Sequence, residues 1–220
     1  TMQEKSDYIN NRCTVGNLNL YKPEYNTKVT CPDIPTNHDI NRLRYTGLYL
    51  RDRIELSDQL VLNLAGRHDW TETTTQNLVK NTESTQSENA FTGNVSLLYS
   101  INEIAAPYVS YATSFLPVSG TDFHDHAFKP EKGKQIEVGL KLQSPDQRIQ
   151  GSIAWFDLRR QNVSVTDPIN TGFKVQRGEQ LTRGIETELA AHLFDQLKIT
   201  AAYTYTPDAE ISKDTQAENI

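Results

Sequence analysis

The chain has 220 residues, 36% of them hydrophobic, and a net charge of −6 from 22 basic and 28 acidic side chains; ten Tyr, seven Phe and two Trp accompany this polar composition. These aromatics, with alternating runs of Leu, Ile and Val, argue against a disordered chain, and the acidic balance, with no Lys/Arg stripe interleaved with aromatics, argues against a nucleic-acid partner. Nowhere do about 18 apolar residues run together, so no transmembrane helix is expected, and the opening from Thr1 does not read as a signal peptide. A strand crosses a bilayer with about 9 to 11 residues, only half of them apolar, so a membrane β-barrel stays open.

Residues 1–41 read as a polar loop. It holds both cysteines, Cys13 and Cys31, in an Asn- and Pro-rich stretch. A disulfide between them would suit an oxidising compartment and contribute roughly 3 kcal/mol by restricting the unfolded chain; two free thiols are the alternative. No further Cys or nearby His pair completes a metal set.

From residue 42 to 206 the hydrophobic period is two, the mark of strands. The spacing predicts eight of them: Tyr45–Leu56, Leu60–Trp70, Ala90–Ser100, Ala105–Phe115, Gly133–Gln143, Arg148–Arg160, Arg183–Ala191 and Leu197–Thr206. In the first, Leu48, Leu50, Ile54 and Leu56 oppose Arg51, Arg53 and Glu55; in the fifth, Ile136, Val138, Leu140 and Leu142 oppose Gln135, Glu137 and Lys141. The sixth is ambiguous, because Trp155 and Phe156 are adjacent and take opposite faces. Short turns around Asp58, Asn102, Ser144–Gln147 and Asp195 alternate with long polar segments, Glu72–Asn89, Leu116–Lys132 and Gln161–Thr182. Residues 207–220 read as the start of the next loop.

Alternating short and long connections suit an outer-membrane barrel, with short periplasmic turns and long extracellular loops. The charged face of each strand would be costly as a dry core but can line a wet lumen. An antiparallel sheet with one ordinary solvent-facing side, as in a soluble β-rich module binding carbohydrate, is the competing reading. No nucleophile elbow, glycine-rich phosphate loop or metal motif supports an enzyme, so no catalytic residue is expected. Glu186 and Glu188, two apart, lack the third group of an acid–base site and read as lumen lining. His124-Asp125-His126 invites a metal reading, since imidazoles two apart with a carboxylate between them could ligate from an extended segment; an ordinary polar loop is the stronger alternative.

The stretches GLYLRDRIELSDQLVLNLAGRHDW, APYVSYATSFLPVSG, FKPEKGKQIEVGLK, FDLRRQNV, RGIETELAA and AAYTYTPDAEISKD resemble, in order and spacing, consecutive segments of ferrichrome-type TonB-dependent siderophore receptors. The earlier NLNLYKPEYN resembles the extracellular loop before them. The resemblance implies an all-β fold of antiparallel up-and-down strands, about eight strands of a transmembrane barrel of about 22 with a plugged lumen, in the bacterial outer membrane. It also implies a plug, a TonB-contacting box and closing strands outside this stretch. The implied partners are a ferric siderophore as transported ligand, the TonB system through the plug, and outer-membrane lipid, with no resident cofactor or protein-held metal. Aromatics at extracellular strand ends contact the siderophore in this family, which makes Tyr21, Tyr25, Phe115 and Phe123 the candidates here; Tyr203 and Tyr205 fall to the membrane-interface belt.

Overall fold

In a computed structural model the described residues are 1–11, 13–14, 21–23, 28–170, 172–194 and 196–212. They form one antiparallel sheet whose nine strands lie side by side in chain order: β1 (Met2–Asn10), β2 (Asn37–Glu55), β3 (Leu60–Asn77), β4 (Thr82–Tyr99), β5 (Ala105–Leu116), β6 (Glu131–Gln143), β7 (Ile149–Thr166), β8 (Lys174–Phe194) and β9 (Leu197–Ser212). No helix occurs among the described residues. The eight runs expected from periodicity correspond to β2 through β9, each antiparallel to the next.

Three boundaries differ from the sequence reading. A ninth strand, β1, lies inside the expected 1–41 loop and pairs with β2 from Met2↔Tyr45 to Asn10↔Asn37. It carries Lys5, Asp7 and Asn10 beside Met2, Tyr8 and Ile9, so it lacks the period-two pattern and is held by its ladder. Second, most of the expected long segments Glu72–Asn89 and Gln161–Thr182 is strand: Asn77 pairs with Thr82, and β7 and β8 stay paired out to Thr166↔Lys174. There the sequence is rich in β-branched Thr71, Thr73, Thr74 and Thr75 but polar on both faces; β-propensity persists where no apolar face is needed. Third, β9 continues to Ser212, beyond the expected strand end at Thr206.

Register gives the sheet two chemically distinct faces. One row runs Ile54, Leu62, Leu97, Val109, Val138, Trp155, Ile185 and Tyr205 across eight successive strands. The neighbouring row on the other face runs Arg53, Asn63, Ser96, Ser110, Glu137, Phe156 and Gly184. Trp155 therefore takes the apolar face and Phe156 the polar one. A side chain at Gly184 would place its Cβ 2.9 Å from the Phe156 ring, so only glycine leaves room for that ring. Asp52, on the apolar face opposite Leu64, interrupts the pattern.

Few apolar side chains are buried: Val61, Phe128, Ala154, Val163, Leu181 and Ala191. Leu48, Leu50 and Phe91 are instead more than 70% exposed on the apolar face. Water is a poor solvent for a contiguous surface of this kind. At the short-turn end the sheet curves around an open hollow of about 1070 Å³, lined on the polar face by Leu98, Ala106, Lys141, Ser152, Glu188 and Thr200.

The short turns are closed by their own polar side chains, as turn residues characteristically do. Ser57 Oγ accepts the Leu60 N–H (3.1 Å), Asn102 Oδ1 accepts those of Ile104 and Ala105 (both 2.9 Å), and Ser144 Oγ accepts that of Ile149 (3.0 Å). The opposite end carries the connections 11–36, 78–81, 117–130 and 167–173.

Candidate ligand-binding mouth

The longest fully described connection, 117–130, folds back against the polar face. Its Val118, Gly120, Thr121 and Ala127 line a small gap with Thr73 and Thr75 of β3 and Ser84 and Gln86 of β4, all side chains on the polar side by register. The segment closes on itself through the bridge Thr121↔Ala127 and the hydrogen bond from Phe128 N to Gly120 O (3.1 Å). Gly120 takes φ of +106°, which a residue with a Cβ adopts only under strain; this bend lets Phe128 lie buried across it, 6% exposed.

At its tip, Asp122 organises a tight turn. Its Oδ1 accepts the backbone N–H groups of His124 (2.8 Å) and His126 (2.9 Å), and its Oδ2 lies 3.1 Å from His126 Nδ1. Partial burial pushes the Asp122 carboxyl up, but these N–H donors outweigh it and hold the pKa below the ordinary value. Phe123 stands 44% exposed, with its ring edge-on to Phe173 of the 167–173 connection at 5.1 Å.

Two flanking hairpins grip the segment. From the 78–81 turn, Lys80 Nζ reaches Asp125 Oδ1 at 2.7 Å. From β8, Gln176 accepts the Lys129 N–H (2.7 Å) and donates to the Lys129 carbonyl (2.5 Å) and the Asn162 carbonyl (2.8 Å). Asn162 donates in turn to the Pro130 carbonyl at 2.8 Å.

Below the mouth the polar face is a wall of charge and hydroxyl. Tyr108 donates to Glu137 (2.5 Å), Gln135 donates to its other oxygen (3.0 Å), and Lys141 Nζ lies 5.3 Å from the centre of the Tyr108 ring. Glu186 and Glu188 face the same space through the register with Ala154 and Ser152. Higher on β3, Arg67 Nε holds Asp69, 2% exposed, at 2.6 Å and lies over the Tyr45 ring.

Of the residues singled out from sequence, Phe123 reaches the mouth. Phe115 does not: it shares the apolar face with Val109 and Tyr111 and lies opposite Lys132, because strand alternation sends residues an even number apart to one side. Tyr21 is fully exposed in the 11–36 connection, and Tyr25 lies outside the described residues. Cys13 and Cys31 are joined, beside the bridge Thr14↔Thr30. Tyr203 and Tyr205 are exposed on the apolar face. Among the described residues no group of three or more His, Cys, Asp or Glu is arranged to hold a metal. Phe173, Lys80 and Gln176 escaped sequence reasoning; each becomes visible only when segments far apart in the chain are brought together.

Comparison with known proteins agrees with this architecture. The ferrichrome outer membrane transporter/phage receptor of Escherichia coli K12 is 34% identical over 203 residues, 90% of this chain and 27% of that protein. The ferrioxamine B receptor of Salmonella typhimurium LT2 is 32% identical over 195 residues, 86% of this chain and 26% of that protein. The chain thus spans about a quarter of the length of these relatives. The crystal structure of the ferripyoverdine receptor of the outer membrane of Pseudomonas aeruginosa superposes with a TM-score of 0.62 over 80% of this chain and 24% of that one, at 24% identity, a likeness of fold. The family model described as TonB dependent receptor-like, beta-barrel, matches residues 1–220, and the chain belongs to that family of outer-membrane β-barrels.

Proposed function

We propose that the receptor to which this chain contributes binds a ferric siderophore at the mouth formed by the long connections and imports it with energy relayed by TonB. The relationship to receptors named for ferrichrome and ferrioxamine B, running through 86–90% of the chain, carries this reading. The two-faced sheet supports it physically. An apolar face this exposed suits lipid, and the opposite face, with Glu137, Glu186, Glu188 and Lys141, suits a hydrated conduit. A soluble sugar-binding module has no use for the first of these faces.

In this scheme no bond is made or broken. Iron arrives held by the siderophore's own oxygens, so the protein needs neither a metal set nor a resident cofactor. The contributions of this segment are contact at the rim, from Phe123 with Tyr21 of the first connection, and a polar wall below. A plug elsewhere in the receptor engages TonB.

The test is uptake by an iron-starved host that lacks its own siderophore receptors and expresses the full-length receptor. Radio-iron loaded on ferrichrome or ferrioxamine B should accumulate, and deletion of TonB should abolish accumulation while leaving surface binding. Uptake indifferent to both siderophores and to TonB would overturn the proposal.

A further inference from the structure

The geometry points to Lys80 and Gln176 as positioning residues for ligand binding: from two flanking hairpins they hold the 117–130 segment as a fixed wall of the mouth, and so set where the Phe123–Phe173 pair stands. The inference rests on the proposed siderophore-binding role for its ligand arm.

A connection of this length, free on a surface, would sample many conformations, and ordering it on binding would weaken affinity. Here the segment is tied at three places that are remote in sequence. Its tip is tied by the Lys80–Asp125 ion pair, and its C-terminal end by both backbone groups of Lys129, which Gln176 satisfies with one amide. Its base rests on the polar face of β3 and β4, with its own Phe128 buried. Gln176 also ties Asn162, whose side chain holds Pro130, so a single amide couples β7, β8 and the wall. Asp125 sits at φ of +63°, a left-handed conformation that Asp and Asn tolerate, which aims its carboxylate at the neighbouring hairpin. Between these ties Phe123 stands half exposed against Phe173. A rigid aromatic pair offers contact area with little entropy left to lose.

The experiment uses the full-length receptor in detergent, with Lys80→Met, Asp125→Asn, their double variant and Gln176→Ala. Amide exchange is followed in peptides covering 119–128, and release of radio-iron ferrichrome and ferrioxamine B is timed. Lys80→Met and Asp125→Asn should speed exchange in that segment by about threefold, as for an exposed ion pair, and Gln176→Ala by about tenfold; each should speed ligand release by about twofold or more, with association little changed. Because Lys80 acts through Asp125, the double variant should match the Asp125→Asn single rather than exceed it. Unchanged exchange, or faster exchange with unaltered release of a complex that the wild type retains, would overturn the inference. If the wild type retains neither complex, the function proposed above falls, and with it the ligand arm, while the exchange data still decide whether Lys80 and Gln176 hold the wall.

Discussion

At the scale of single residues, position along a strand proved a weaker guide to the mouth than the face a side chain takes. Phe115 and Phe123 are both large aromatics near the outer end of a hairpin, yet alternation sends Phe115 to the apolar side, while the Asp122 turn lifts Phe123 to the rim. Phe123→Ala should therefore weaken binding of the ferric complex by about 1 kcal/mol or more, roughly fivefold. Phe115→Ala should leave binding unchanged. Titration of whole cells with radio-iron ferrichrome or ferrioxamine B would distinguish them, with heat-modifiable mobility on a gel confirming that both variants assemble. A loss at Phe115 equal to that at Phe123 would mean that the apolar side of β5 also meets the ligand.

At the scale of elements, β2 to β9 present an apolar side and a polar side, and substitution in the proposed membrane setting should expose the difference. Leu62→Arg, in the unbroken apolar row from Ile54 to Tyr205, should destabilise the complete barrel by about 2 to 4 kcal/mol, whereas the adjacent Asn63→Arg on the polar face should cost much less. Denaturant titration of the two variants in the same detergent or bilayer decides it, and equal losses would show the faces to be misassigned. This same two-sidedness explains what could be read in advance. Where one face is apolar, the period-two pattern is strong, and β2 to β9 were legible from Leu48, Leu50, Ile136, Val138 and their kin. Elsewhere the constraint lapses: β1 is exposed along both faces, and the Thr71–Asn77 extension is polar on both sides, with Thr73 and Thr75 beneath the 117–130 segment, so hydrophobicity no longer alternates and ladder pairing carries the strands. The mouth was least legible of all. Phe123 was recoverable as an aromatic in a loop, but the pairs Phe123–Phe173, Lys80–Asp125 and Lys129–Gln176 that build the mouth join residues about 45 to 50 apart, and no local pattern links them.

At the scale of the whole molecule, the described sheet ends on β1 and β9 without closing. β1 covers β2 only as far as Tyr45, so the stretch of β2 from Thr46 to Glu55 has β3 on one side and no strand among the described residues on the other. That stretch carries Leu48, Leu50 and Ile54, which the proposed barrel would set within the hydrocarbon. There each unsatisfied backbone N–H or C=O costs several kcal/mol, which is why spanning sheets close on themselves. The exposed apolar side chains cannot offset this alone, since lipid rewards them equally whether or not the neighbouring strand is present. The 220-residue chain refolded by itself into detergent or lipid should therefore fail to give a heat-modifiable, protease-resistant species, while the full-length receptor under identical conditions should give one. Pulse proteolysis with gel mobility before and after heating is the measurement. A compact, resistant species from the isolated chain would show that these nine strands find another way to satisfy their edges, by closing into a smaller barrel or by pairing with a second copy, and cross-linking at β2 and β9 would tell those two apart.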